Sequence, residues 1–163
     1  MKLLIGGSPS KIFHLEEFQK ALTKLNVECK LVIDTDICNG FPSRKISDWF
    51  QNQKKFDRLI SDFKSDVVFV DRQPVTDLYK YLSASSVLLM PFPWTEHYAY
   101  YMSPLKMFEY MAMKRPIVAS KLPSIEEVLR HKYNAILCEN DNPKDLSKKV
   151  DWALKNDCSK LVL

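Results

Sequence analysis

The residues with the clearest capacity for chemistry lie in one short segment, residues 103–109 (Ser-Pro-Leu-Lys-Met-Phe-Glu). Ser103 suits the N-cap of a helix and Pro104 suits its first position. Lys106 then stands where a capping box would place Glu or Gln, and its charge opposes the positive end of the helix dipole. Such a helix start is suited to an external phosphate, bound by free backbone N–H groups, the Ser103 hydroxyl and the Lys106 ammonium.

The next two predicted helices begin differently. Glu126 and Glu127 follow Pro123, and Asn142 and Pro143 are followed by Asp145 at the capping-box position, which marks Asn142 as the cap. These helix starts therefore supply their own acidic groups, which are favourable at the positive end of a helix. The contrast supports an external anion at the helix that begins near Ser103.

Glu109 lies one turn beyond Lys106 and is placed to accept hydrogen bonds from ribose hydroxyls. From the residues alone, a second interpretation stays open. Lys106 and Glu109 are three residues apart, so they also fit a solvent-exposed ion pair worth a few tenths of a kcal/mol, about 0.2–0.5.

Two loops should accompany this helix. Gly6 and Gly7 end the first predicted strand, where glycine allows close approach of a ligand, although a tight turn explains the pair equally well. Residues 91–102 form a predicted aromatic loop (Pro-Phe-Pro-Trp-Thr-Glu-His-Tyr-Ala-Tyr-Tyr-Met) that either lines a cleft for a base or sugar or packs against another domain or subunit. His97 in this loop has no paired carboxylate or metal partner, so we do not expect a catalytic base there.

Composition limits the function classes. The chain has 163 residues, enough for one domain with a proper core, and a net charge of +4 that is too small and too evenly spread to favour nucleic acid. Four cysteines form no C-x-x-C pair, which suggests neither a zinc site nor a redox motif, so we expect free thiols and no bound metal. No run of about 20 apolar residues is present, and the start does not resemble a signal peptide, so a cytoplasmic protein is expected.

The order of predicted elements indicates an α/β fold. Apolar strands without alternation are separated by helices, which is typical of a parallel sheet covered on both faces, in other words a single doubly wound, Rossmann-like domain. The predicted strands are residues 2–7, 27–34, 67–71, 87–90, 116–120 and 135–138. The predicted helices are residues 12–25, 46–63, 75–84, 104–113, 123–131 and 143–156. Handedness leaves the strand orders 3-2-1-4-5-6, which Rossmann precedent favours, and 2-1-3-4-5-6.

Residues 103–124 (SPLKMFEYMAMKRPIVASKLPS), followed by IEEVL, closely resemble the donor-binding half of family-4 retaining glycosyltransferases of the GT-B fold. The likeness extends upstream through residues 78–93 and downstream through residues 134–152. The resemblance implies that Glu109 binds the ribose of a nucleotide-sugar and that the turn at Ser103 and Pro104 holds its phosphates. It also implies that the nucleotide-sugar is a donor substrate and that no cofactor is required.

Residues 1–71 are similar, less specifically, to the opening of the acceptor-side domain of the same family. On this comparison the chain is a shortened member, with the start of one domain joined to the second half of the other at a seam near residues 72–75. A natural deletion, a fragment and an engineered chimera all fit. The basic pair that neutralises the diphosphate in the family is then missing, and Tyr101 stands where a glutamate is expected, eight residues before Glu109.

Two functions follow from these observations. The first is transfer of a sugar from a nucleotide-activated donor to an unknown acceptor with retention of configuration. The second is a non-catalytic nucleotide-binding module, which the missing basic pair favours. The expected partner is a nucleotide-sugar and not a nucleic acid, and weak association with a membrane surface and homo-oligomerisation both stay open.

Overall fold

The computed structural model describes residues 2–6, 30–34, 67–70 and 75–161. The helices predicted over residues 12–25 and 46–63 lie outside the described residues, as do Gly7, Cys29 and Cys38. Side chains are described from residue 79 onward, with Tyr81 excepted. The part of the chain that carries the predicted phosphate site is therefore described almost completely.

The described strands form one sheet in the order β3-β2-β1-β4-β5-β6. Every neighbouring pair in this sheet is parallel. The strands are β1 (Lys2–Gly6), β2 (Lys30–Asp34), β3 (Val67–Val70), β4 (Val87–Met90), β5 (Ile117–Ser120) and β6 (Ile136–Cys138). The α/β class with a parallel sheet is thus confirmed, and the strand order is the first of the two that the sequence left open.

The direction of strand order reverses between β1 and β4. Leu4 pairs with Leu88 and Ile5 pairs with Leu89, although a long stretch of chain separates the two strands. Parallel neighbours end at the same edge of a sheet, so Gly6 at the end of β1 and the chain that leaves β4 after Met90 lie at one edge. Ligands of open α/β sheets bind at this kind of switch point, outside the carboxyl ends of the strands.

Helices connect the strands of the second half of the chain. They are α1 (Val75–Ala84), a π-helix (His97–Tyr101), α2 (Leu105–Ala112), α3 (Pro123–Glu126), α4 (Pro143–Lys155) and a 3-10 helix (Ser159–Leu161). Helix α1 contacts β1, α3 contacts the π-helix, and α4 contacts β4, β5 and β6. Coverage of the sheet by helices on both faces, as predicted, involves elements outside the described residues and stays a prediction.

The core forms between β4, β5 and β6 and the helices around them. Every residue of these three strands is buried, which explains why their sequences are apolar without alternation. Tyr110 on α2 and Leu82 on α1 are almost fully buried in the same cluster, and Leu129 joins it after α3. The amphipathic helices thus bury one face each against a sheet that offers no polar side.

Three predictions about the elements around the site need correction. The aromatic loop is not irregular throughout, because residues 97–101 form the π-helix. The helix predicted over residues 123–131 ends at Glu126 and continues as turns. The α2 helix begins at Leu105, one residue later than predicted.

The end of α2 is unusual because Lys114 has a φ of 52°. Left-handed backbone after a helix is normally taken by glycine, since a Cβ is strained there. This conformation lets the chain turn from α2 into β5 over only a few residues.

Candidate functional site

The predicted phosphate site lies at the start of α2. The capping position is occupied by Pro104, with φ −76° and ψ 105°, and no side chain caps the helix. The prediction that Ser103 is the N-cap and Pro104 the first helical residue is therefore wrong by one position. Pro104 is buried, and its carbonyl accepts the N–H of Met107 at 2.9 Å.

The candidate ligand-binding side chains differ in exposure. Ser103 is exposed just outside the helix, Lys106 is half-buried in its first turn, and Glu109 is half-buried one turn further. Pro104 is buried between them, so its part in a site is to fix the backbone rather than to touch a ligand. Ser103, Lys106 and Glu109 therefore present polar groups at and just beyond the start of one helix.

The electrostatics of this helix start agree with the sequence argument. The first turn of α2 contains no acidic residue. The first turn of α3 contains Glu126, and that of α4 contains Asp145. At α4, Asn142 caps the helix by accepting the Asp145 N–H at 3.0 Å, as the spacing predicted. Lys144 also stands in the first turn of α4, but beside Asp145, whereas the first turn of α2 has Lys106 and no acidic residue.

The Asp145 carboxylate turns away from the α4 cap and accepts the N–H of Glu139 at 2.9 Å. A capping box would have placed this acidic group on the N–H of Asn142. The Asp145 side chain instead ties α4 to the chain leaving β6. Its negative charge still lies at the positive end of α4, so this helix start already has its own anion.

The aromatic segment, residues 91–102, is held against the rest of the domain at two backbone positions. The Ser124 hydroxyl on α3 donates to the carbonyl of Tyr98 at 2.6 Å. The Asp141 carboxylate, in the turn after β6, accepts the N–H of Trp94 at 3.1 Å. Sequence reasoning assigned no role to these two residues. The available signals were a serine early in a helix and the polar run Asn140 to Asn142.

The rings of the aromatic segment fall into two groups. Phe92 is buried and lies 5.4 Å from the ring of Tyr98, measured between centroids. Trp94, Tyr100 and Tyr101 are exposed, and Tyr101 retains 72% of its accessible surface. His97 is exposed too, and its ring meets Tyr98 edge-on at 5.7 Å. The segment is thus anchored in the core by one side and presents aromatic surface on the other.

A small cleft, open to solvent, lies at the carboxyl ends of β4, β5 and β6. Its walls include Pro91, Ser120, Cys138 and Asp141, with Leu146 of α4 behind them. Burial and the nearby Asp145 carboxylate raise the pKa of the Cys138 thiol to about 12, and its Sγ donates to the Ala119 carbonyl. This thiol is therefore a packed structural group, not a nucleophile.

The predicted site residues do not line this cleft. Ser103 and Pro104 directly precede α2, and Lys106 and Glu109 lie on it. Gly6 lies at the end of β1, which pairs with β4. Gly7 lies outside the described residues. Within the described part, no three His, Cys, Asp or Glu side chains are grouped so as to hold a metal ion. None of the described helices is long and apolar enough to cross a membrane. Cys138 and Cys158 are free and buried.

Comparison with known proteins gives the context for this site. The family model described as glycosyl transferases group 1 matches residues 12–156. A curated "uncharacterized glycosyltransferase" of Haemophilus influenzae is 32% identical over 96 residues, which are 58% of this chain and 25% of that protein. The chain thus spans a quarter of this relative's length.

Two solved structures share the fold. Anabaena HepE, in complex with UDP and glucose, superposes with a TM-score of 0.72 and 13% identity over 99% of this chain and 40% of its own. The C-terminal domain of LpcC, a glycosyl transferase group 1 family protein of Francisella tularensis, superposes with a TM-score of 0.66 and 14% identity, over 99% of this chain and 78% of that domain. Because a single family model covers most of the sequence, the chain belongs to the glycosyl transferases group 1 family.

Proposed function

We propose that this chain is the nucleotide-sugar-binding part of a family-4 retaining glycosyltransferase and that the start of α2 holds the donor. The observation that carries the proposal is the composition of this helix start, which has Lys106 in its first turn and no acidic residue or side-chain cap. Glu109 lies one turn away, half-buried, where a carboxylate suits two ribose hydroxyls. Belonging to a glycosyltransferase family makes a nucleotide-sugar the natural ligand.

The chemistry would be supported by charge rather than by a metal. When the sugar is transferred, its anomeric carbon forms a bond to a nucleophilic atom of the acceptor, which gives up a proton. The bond to the diphosphate oxygen breaks, and the nucleoside diphosphate leaves with that electron pair and added negative charge. The Lys106 ammonium and the backbone N–H groups at the start of α2 would stabilise this charge as it develops. Ser103 would add a hydroxyl donor from the solvent side, and Gly6 and Gly7 would allow the phosphates to approach β1.

We further propose that the described sheet is one folding unit of six strands with helices on both faces. The family model runs from residue 12 to residue 156 and so crosses the predicted seam near residues 72–75 without a break. The superposition with the isolated C-terminal domain of LpcC also covers 78% of that domain. Both observations support a single donor-side lobe over the whole chain, rather than two half-domains joined at residues 72–75.

A second candidate function is nucleotide-sugar binding without transfer. It is favoured by Tyr101, which stands where the resemblance leads one to expect a carboxylate. In this case the chain would serve as a nucleotide-binding module.

Calorimetric titration with UDP-, GDP- and ADP-glucose, followed by product analysis for any sugar that binds, tests both candidates. Binding with release of the nucleoside diphosphate in the presence of an acceptor supports transfer. Binding without turnover supports the second function. A folded protein that binds none of the three donors contradicts both.

A further inference from the structure

The aromatic segment is attached through its backbone at two places far apart in sequence. Ser124 Oγ reaches the carbonyl of Tyr98, and Asp141 Oδ2 receives the N–H of Trp94. Both bonds act on main-chain groups, so they hold the path of the chain whatever side chains stand at positions 94 and 98. The two fastening residues come from different elements, α3 and the turn before α4.

Between the two residues held by these hydrogen bonds, the segment also forms hydrogen bonds within itself. Tyr98 N–H donates to the hydroxyl of Thr95 at 3.1 Å, and Ala99 N–H donates to the Thr95 carbonyl at 2.8 Å. Ala99 is fully buried, and the Tyr98 ring packs on Phe92. Residues 94–99 therefore behave as one rigid piece whose position relative to the core depends on Ser124 and Asp141.

This rigid piece leads directly to the predicted phosphate site. Only Tyr100, Tyr101 and Met102 separate Ala99 from Ser103, and Tyr100 and Tyr101 still belong to the π-helix. A shift of the Tyr98 carbonyl would be carried along this short connection to the turn at Ser103. Small displacements matter at such a site, because hydrogen bonds to phosphate weaken quickly with distance and angle.

We propose that Ser124 and Asp141 are positioning residues of the nucleotide-sugar site and that they act through the backbone of the aromatic segment. The proposal rests on the proposed function, because it assigns these residues an effect on donor affinity. Neither residue needs to touch the donor. The structure supports the role of Ser124 most strongly, since its bond is short and partly shielded from water.

The test compares Ser124→Ala with a matched control in the same chain. The hydroxyl of Ser147 on α4 also donates to a backbone carbonyl, that of Pro143 at 2.7 Å, but this bond lies within α4 and does not reach the aromatic segment; Ser147 is fully buried. Both variants lose one hydrogen bond, so both should lower the melting temperature. Only Ser124→Ala should weaken binding of the best donor of the UDP-, GDP- and ADP-glucose panel, by about fivefold to tenfold.

Conservative variants provide the rescue. Ser124→Thr keeps the hydroxyl and Asp141→Asn keeps a side-chain oxygen acceptor, so both should retain most of the affinity lost in Ser124→Ala and Asp141→Ala. If the alanine variants bind the donor as tightly as the wild type, or if Ser147→Ala loses as much affinity as Ser124→Ala, the positioning role is wrong.

Hydrogen exchange of the ligand-free protein separates this proposal from the proposed function. In Ser124→Ala, amides of residues 94–103 should exchange faster than in the wild type and in Ser147→Ala. Unchanged exchange with intact donor binding overturns the positioning role alone. A wild-type protein that binds no donor overturns the proposed function. It also contradicts the positioning role, because Ser124 and Asp141 then only stabilise the fold.

Discussion

The backbone N–H of Leu137 donates a hydrogen bond of 2.9 Å to Nδ1 of His131. An imidazole nitrogen that accepts carries no proton, so this bond exists only in the neutral form of His131, with the proton on Nε2. The bond joins the turn after α3 to the middle of β6. Protonation of the ring would remove this hydrogen bond between the turn and the sheet.

The pKa of His131 is lowered by partial burial of its ring and next by the nearby Lys149 and Lys132, while Asp145 opposes the shift and Lys121 adds to it. A histidine with a lowered pKa in the folded state contributes stability that is complete above its unfolded pKa, about 6.5. That stability is lost as the pH falls from 6.5 to the lower folded value. We expect the melting temperature of the wild type to decline over this window.

Melting curves of the wild type, His131→Gln and His97→Gln across pH 5 to 8, at roughly half-unit steps spanning the histidine range, check this prediction. The decline should be reduced in His131→Gln and kept in His97→Gln. An equal decline of the melting temperature in all three proteins would show that protonation of His131 does not cause it.

Glu109→Ala should weaken binding of the nucleotide-sugar without unfolding the domain. A lost hydrogen bond to a charged group is worth ~1.5–3 kcal/mol, which corresponds to roughly 10-fold to 100-fold in affinity. Titration calorimetry measures the loss. Glu127→Ala removes an exposed carboxylate at the end of α3 and should bind as the wild type does. A folded Glu109→Ala protein with unchanged affinity would remove Glu109 from the site.

Lys106→Ala should distinguish a phosphate-binding role from a packing role. If the ammonium neutralises the diphosphate, affinity for the nucleoside diphosphate should fall by about 10-fold or more, while affinity for the nucleoside should barely change. Lys148→Ala, on the exposed face of α4, is the control. Equal losses for nucleoside and nucleotide would indicate that Lys106 supports α2 by packing.

Lys114→Gly should stabilise the protein. Lys114 has a φ of 52° at the end of α2, where a residue with a Cβ is strained by about 1–2 kcal/mol. Glycine removes this strain but gains freedom in the unfolded chain, so a net gain of about 0.5–1 kcal/mol is expected. Urea unfolding measures it. Lys114→Ala keeps the Cβ and should show no comparable gain, and a destabilised glycine variant would contradict the strain argument.

One cooperative unfolding transition is expected for the whole chain, because the proposed single lobe extends across residues 72–75. A sheet cut beside β1 or β4 would expose an apolar edge strand. Calorimetry should therefore show a single peak, with coincident changes in circular dichroism and tryptophan fluorescence. Two separate transitions would show that residues 72–75 link independent units.

Several elements were predictable from local pattern. Val75–Ala84 and Val87–Met90 have the predicted bounds, and Asn142 caps α4 as its spacing required. These segments have one clear period or one strong cap, and their tertiary contacts agree with it. Phe92 and Tyr98, in contrast, pack together inside a segment that carries no period, so the π-helix there could not be predicted.

The site was only partly predictable for a related reason. The preference of Ser103 for an N-cap is local and weak, and the buried Pro104 ring overrides it by fixing the chain one residue later. The bonds from Ser124 and Asp141 span 26 and 47 residues, so no local pattern indicates them. Sequence reasoning found the charged groups of the site and missed those that hold its backbone.

The pairing of β1 with β4 has a consequence for how the protein is made. On the ribosome β1 is synthesised before its partner β4, and all the residues between the two strands are synthesised before they can pair. Closing so long a loop has a large entropic cost and is slow. Until it closes, the backbone groups of β1 that pair with β4 have no partner. The nascent chain therefore passes through a stage in which the future centre of its sheet is an open edge, which is when it most needs protection by a chaperone.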